Sequence, residues 1–157
     1  MENQLHILSE SLDQKIQILE QLKNLNELQE QAFQKEEADL EAFDKAVDEK
    51  DSLIDSLMKL DDGFEIMYER LSKELQENRD VFASQIKELQ KKIARVTELS
   101  VSVQAQEARN KKLVEDYFAK TRGAIRQNRQ SSKAAYDYYK SMSGAGMSSA
   151  HFLDSKQ

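Results

Sequence analysis

Leucine and isoleucine side chains recur every three or four positions near the start of the chain, from Leu5 to Leu25. These steps keep the apolar side chains on one face of an α-helix. The repeat fades over residues 29–35. The pattern therefore predicts a first amphipathic helix over residues 3–34.

A second apolar stripe begins at Leu40, directly after Asp39, whose carboxylate can cap the free N–H groups of a new helix. The stripe ends near Asp61-Asp62-Gly63, where acidic caps and a glycine favour a turn. We expect a second helix over residues 38–60. A helix that runs straight through is the alternative, since one glycine costs a helix only about 1 kcal/mol relative to alanine.

The apolar stripe resumes at Phe64 and continues past Val103, which predicts a third helix over residues 64–138. A helix of that length approaches ~100 Å at 1.5 Å per residue, longer than a compact domain. A kink is therefore expected near Asn78-Arg79-Asp80 or over residues 100–102. The two earlier helices are too small to bury much core alone, so we expect them to fold back on the third.

These elements predict an all-α fold, an elongated antiparallel helical hairpin or bundle of about three long helices that resembles a coiled coil. The composition agrees, because the 157 residues include no Pro and only 4 Gly, whereas sandwiches and barrels use both at their turns. From residue 131 onward the chain is rich in serine and loses its helical repeat. We expect one domain over residues 1–140 and a flexible Ser/Gly-rich tail over residues 141–157.

Charge is distributed unevenly around a net value of −6. Residues 1–62 carry 17 acidic and 6 basic side chains, and residues 63–157 carry 12 acidic and 17 basic ones. Pairing of acidic with basic helices inside one bundle is the simplest explanation. A partner-binding face is the second explanation. Nucleic acid is the least favoured, because the whole chain is acidic and carries no motif of a known nucleic-acid module.

Motifs for catalysis or cofactor binding are missing from the sequence. There is no cysteine, no glycine-rich phosphate loop, no zinc spacing and no serine elbow. His6 shares a helix face with Glu2 and Glu10, a trio that is more typical of a solvated polar patch than of a metal site. We expect no enzyme activity, no metal and no cofactor. Without a run of about 18 apolar residues or a signal peptide, we also expect no membrane insertion and a cytoplasmic location.

Two stretches of the chain carry distinctive helical patterns. Residues 39–57 have an acidic start, an aliphatic or aromatic repeat, then Glu-Lys and a leucine-rich run. In residues 105–118 an asparagine, Asn110, precedes a Leu-x-x-x-aromatic pattern. These stretches resemble the second and the C-terminal helix of the FlgN family of flagellar type III export chaperones, in the version found in clostridia-like bacteria.

The resemblance implies a cytosolic chaperone for the hook-associated proteins of the hook–filament junction. Such chaperones hold the C-terminal helix of the secreted protein with their own C-terminal helical region, prevent early assembly and deliver the client to the export gate. Family members contact that gate through C-terminal aromatic residues, and by position Tyr136, Tyr138 and Tyr139 are the candidates.

A client helix needs apolar anchors every three or four residues on its partner. The last predicted helix supplies a wide apolar face interleaved with Lys and Arg. We expect client binding on this face and at the neighbouring asparagine, that is, at Asn110, Leu113, Val114, Tyr117, Phe118 and Ile125. The alternative is that the first two helices bury both sides of this surface.

Two other functional classes stay open. The heptad-like run from Phe64 to Val103 suits a structural scaffold that forms a coiled-coil homodimer, with polar positions setting its register. A flagellar chaperone and regulator of the FliT kind is the other alternative.

Overall fold

Three long helices make up the part of the chain that the computed structural model describes, residues 2–120. They are α1 (Glu2–Gln34), α2 (Leu40–Glu77) and α3 (Ala83–Lys120). No strand occurs within these residues. The predicted all-α bundle of three long helices is confirmed, and α1 ends at the predicted residue.

The helix α1 lies between α2 and α3, and consecutive helices run in opposite directions. Asp13 contacts Lys92 and Asn26 contacts Asn110, so α1 and α3 are parallel. Gln29 contacts Lys50 and Lys15 contacts Asp61, so α1 and α2 are antiparallel. The helix α1 packs along both neighbours, whereas the backbones of α2 and α3 hardly approach each other. At 1.5 Å per residue, α1 is about 50 Å long and the bundle is elongated.

The predicted cap at the start of α2 is confirmed. The Asp39 carboxylate accepts a hydrogen bond from the backbone N–H of Ala42 at 3.0 Å and a second from the Lys35 ammonium at 3.1 Å. The Ala42 hydrogen bond, followed by that from Lys35, lowers the pKa of Asp39. Both partners favour the ionised carboxylate, which is the form that caps a helix best.

The predicted turn at Asp61-Asp62-Gly63 is wrong, because α2 runs through these residues to Glu77. Two anchors explain the continuity. Asp61 pairs with the buried ammonium of Lys15 on α1, and the neighbouring Phe64 is only 2% exposed, with that ammonium 4.7 Å from its ring centroid. Burial of a large aromatic side chain is worth more than the cost of one glycine inside a helix.

The turn lies instead at residues 78–82, so a single helix over residues 64–138 is also wrong. The side-chain and backbone N–H groups of Asn78 both donate to the carbonyl oxygen of Glu74, at 2.9 and 3.0 Å, and close the end of α2. The chain reverses over five residues and α3 begins at Ala83. This is the first of the two sites at which a kink was expected.

Acidic α1 and basic α3 are linked by ion pairs on their shared surface. Lys92 Nζ lies 3.0 Å from Asp13 Oδ1, and Arg95 Nη2 lies 3.7 Å from Glu20 Oε1. Burial lowers the pKa of Lys92, but hydrogen bonds to Asp13 and Glu88 outweigh it and raise that pKa overall. The pairing of acidic with basic helices inside one bundle is therefore present in the structure.

Candidate functional site

An aromatic cluster joins all three helices at the end of the bundle where α1 stops and α2 starts. The ring of Phe33 on α1 lies 5.1 Å from that of Phe43 on α2 and 5.6 Å from that of Tyr117 on α3. Tyr117 in turn lies 5.8 Å from Phe118. Phe43 is buried and the other three rings are half-buried. We call these four residues the aromatic end.

The predicted client-binding residues separate into a buried pair and a partly exposed group. Asn110 and Val114 face the bundle interior, and the Asn110 side chain donates to the backbone carbonyl of Asn26 at 3.0 Å. Leu113, Tyr117 and Phe118 are half-buried and keep some apolar surface in contact with solvent. The structure thus brings five of the six residues to the last turns of α3, and three of them offer surface to a partner.

The other predicted site residues lie outside the described part of the chain. They are Ile125 in the proposed client-binding group and Tyr136, Tyr138 and Tyr139 in the proposed gate-binding group. The tail over residues 141–157 lies outside it as well. These assignments stay predictions.

Next to the aromatic end, the apolar core is interrupted by polar side chains from all three helices. We call this group the polar layer, and its members are Asn26, Gln29, Lys50, Gln106, Glu107 and Asn110, each at most 7% exposed. Burying polar groups costs free energy unless they are hydrogen-bonded, so the contacts of this layer decide its energetics.

On the side of α3, amide side chains bind the end of α1. Gln106 donates to the backbone carbonyl of Lys23 at 3.2 Å and accepts from the Asn26 side chain at 3.3 Å. One turn later Asn110 donates to the carbonyl of Asn26. These contacts fix the register of α3 along α1.

On the side of α2, the Lys50 ammonium lies at the centre of the layer. Its Nζ donates to Gln29 Oε1 at 2.7 Å and lies 2.7 Å from Glu107 Oε1, so it connects α2 with both other helices. Burial lowers the pKa of Lys50 to about 8, and the nearby Glu107 carboxylate raises it only in part. The loss of water around the ammonium thus outweighs its attraction to the carboxylate.

Sequence reasoning missed the polar layer. The apolar repeat of the first helix stops at Leu25, yet Asn26 and Gln29 continue the spacing of the buried leucines Leu19 and Leu22. Lys50 likewise follows Phe43 and Val47 at helical steps. The available signal was polar residues placed on an apolar stripe.

Other chemistry is sparse among residues 2–120. His6 Nε2 lies 3.1 Å from Glu10 Oε1, and both side chains are exposed. No group of three or more His, Cys, Asp and Glu in this part of the chain is arranged to hold a metal ion. None of the three helices is long and apolar enough to cross a membrane.

Comparison with known proteins adds the family. No curated protein and no solved structure matches the chain. A family model described as FlgN protein matches residues 1–144, which include all three helices, the polar layer and the aromatic end. The match is to the family as a whole, and it does not distinguish between the versions of the family found in different bacteria. With the predicted resemblance confirmed over most of its length, the chain belongs to the FlgN family, a family of flagellar chaperones rather than of enzymes.

Proposed function

We propose that this chain binds the C-terminal helical segment of a flagellar hook-associated protein with the end of α3, keeps the client from assembling in the cytoplasm and delivers it to the export gate. The observation that supports the site is the aromatic end. Leu113, Tyr117 and Phe118 expose apolar surface within six residues, a spacing that suits an amphipathic client helix. Exposed Arg109, Lys111 and Lys112 precede this surface, and exposed Glu115 and Asp116 lie within it, so both signs of charge border the apolar side chains.

The client site is tested by replacing Leu113→Glu together with Phe118→Glu. Each large apolar side chain that a client helix buries is worth ~1.5–3 kcal/mol, so the double variant should bind a hook-associated C-terminal fragment ~100-fold more weakly or worse. Titration calorimetry measures the affinity, and circular dichroism measures helicity in the same samples.

A matched control carries the same substitutions at exposed apolar positions away from the aromatic end. Ile66→Glu with Val101→Glu adds the same charge on side chains that are 55% and 57% exposed. This control should stay folded and bind the client normally. Loss of helicity in the Leu113/Phe118 variant alone assigns those residues to the core, and normal binding by that variant rejects the site.

Delivery to the gate is the second part of the proposal and rests on the three C-terminal tyrosines. In a helix, Tyr136 and Tyr139 share a face that Tyr138 does not. Tyrosine offers a large contact area with few rotatable bonds, which suits a short docking segment. We expect Tyr136→Ala with Tyr139→Ala to reduce client secretion while leaving client affinity unchanged, and Tyr138→Ala to have the smaller effect. Normal secretion by the double variant would contradict the assignment.

A further inference from the structure

The last part of α3 is held to the bundle by different contacts from the rest of the helix. Between residues 89 and 103, five apolar side chains are buried: Leu89, Ile93, Val96, Leu99 and Val103. We call residues 106–120 the terminal stretch of α3. Its buried side chains are the apolar Val114 and three members of the polar layer, Gln106, Glu107 and Asn110. The terminal stretch is therefore held by the polar layer and by the half-buried rings of the aromatic end.

Polar contacts of this kind are released at a lower cost than apolar ones. When the terminal stretch leaves α1, the amides of Gln106 and Asn110 exchange hydrogen bonds within the protein for hydrogen bonds to water. Lys50 and Glu107 regain the hydration that they lost on burial, which offsets much of their mutual attraction. An apolar layer at the same position would recover nothing from water.

The Lys50–Glu107 ion pair is a direct link between α2 and α3. The backbones of α2 and α3 hardly approach each other, and this pair bridges them with a distance of 2.7 Å. It lies between the apolar stretch of α3 and the aromatic end. Opening the pair frees the terminal stretch from α2 without disturbing the leucines and valines that precede it.

We propose that the polar layer is the point at which the terminal stretch of α3 separates reversibly from α1 and α2, and that the separated state receives the client helix against Phe33, Phe43, Tyr117 and Phe118. The inference rests on the proposed function, because it describes how that client site opens. It assigns a regulatory role to Lys50 and Glu107, which do not touch the client in this scheme.

The test makes the layer apolar. Lys50→Met with Glu107→Met keeps side chains of similar length and removes both charges. At pH 7, hydrogen exchange followed by mass spectrometry should show amides in residues 106–120 exchanging at least ~10-fold more slowly, because opening now exposes apolar surface. The affinity of the full chain for a hook-associated C-terminal fragment should fall by a similar factor.

The ion pair between Lys15 and Asp61 offers a matched control. Lys15 and Asp61 link α1 to α2, and the Lys15 side chain is fully buried as Lys50 is. Lys15→Met with Asp61→Leu makes that pair apolar and lies outside the proposed opening. Exchange in residues 106–120 and client affinity should both match those of the unchanged protein.

A single variant keeps the inference testable if the double variant does not fold. Glu107→Gln preserves the shape and hydrogen bonding of the side chain and removes its charge. The Lys50 ammonium then loses its anionic partner, so exchange in residues 106–120 should become faster while exchange in residues 89–103 stays the same.

The outcomes separate this inference from the proposed function. Unchanged exchange in residues 106–120 for both Lys50/Glu107 variants overturns the opening, whatever the client does. Slower exchange with undiminished client affinity overturns the role of opening in client binding. If the unchanged chain and every variant alike bind no hook-associated fragment, the proposed function fails and the client part of the inference fails with it.

Discussion

The two stretches of α3 both pack on α1 but are stabilised by different kinds of interaction. Residues 89–103 pack leucine, isoleucine and valine against α1. Opening this contact is unfavourable because it would expose apolar side chains to water. Residues 106–120 combine buried amides, one ion pair and half-buried rings. A helix that is continuous in its backbone therefore changes its packing from apolar to polar along its length, and the polar part is the one that carries the candidate site.

The largest effect expected from this comparison comes from removing one leucine in each stretch. Leu99→Ala deletes a side chain that is 2% exposed and should lower the free energy of unfolding by about 2–5 kcal/mol. Leu113→Ala deletes a half-buried side chain and should cost less than half as much. Urea unfolding followed by circular dichroism measures both. Equal losses would remove the distinction between the two stretches.

The pH dependence of the Lys50 contribution is the next largest effect. Between pH 8 and the ordinary lysine value of 10.5, the ammonium is already neutral in the folded chain but still protonated in the unfolded chain. The unfolded state then binds more protons, so the free energy of unfolding rises with pH, by at most ~1.4 kcal/mol per unit.

Comparison with Lys50→Met isolates this contribution from those of other titrating groups. The stability of the unchanged protein relative to the variant should increase from pH 8 to pH 10, and the penalty for the buried charge should be fully present below pH 8. Urea unfolding at pH 7, 8.5 and 9.5 gives the difference. A difference that does not vary with pH would show that the ammonium is hydrated in solution.

The smallest effect comes from Gly63, which lies in α2 outside both stretches and serves as a reference for a purely local change. A Cβ atom at this position meets no heavy atom within 4 Å, and the backbone is helical without a positive φ. Gly63→Ala should raise the free energy of unfolding by about 0.5–1 kcal/mol, because alanine loses less backbone entropy than glycine. Thermal unfolding measures the gain, and the exchange rates of both α3 stretches should keep their ratio.

Local rules predicted the elements that depend on neighbouring residues. The leucine repeat of α1, its end at Gln34 and the Asp39 cap follow from steps of three and four and from one carboxylate. The turn at residue 63 was wrong because its competitor is a tertiary contact. Lys15 lies 46 positions before Asp61, and sequence spacing does not show that the two pair.

The client-binding residues stay a prediction, and only their setting in the fold can be compared with the sequence. The apolar face of residues 113–118 is visible in the sequence as amphipathic width, and the structure leaves Leu113, Tyr117 and Phe118 half-buried. The burial of Asn110 and the pairing of Lys50 with Glu107 depend on how α1 separates α2 from α3, and no local pattern records that. A polar residue on an apolar stripe, such as Gln29, is the feature of the sequence that indicates such burial.

The central position of α1 also sets the order in which the chain can fold. Contacts between α1 and α2 near the turn join residues 10 to 21 positions apart, whereas α1 meets α3 across 75 to 84 positions. Short loops close with less entropic cost, so we expect the hairpin of α1 and α2 to form before α3 docks onto it. During synthesis on the ribosome, the second face of α1 therefore stays uncovered until α3 has emerged. Among the three helices that the structure describes, the one made last is the one on which the proposed client site depends.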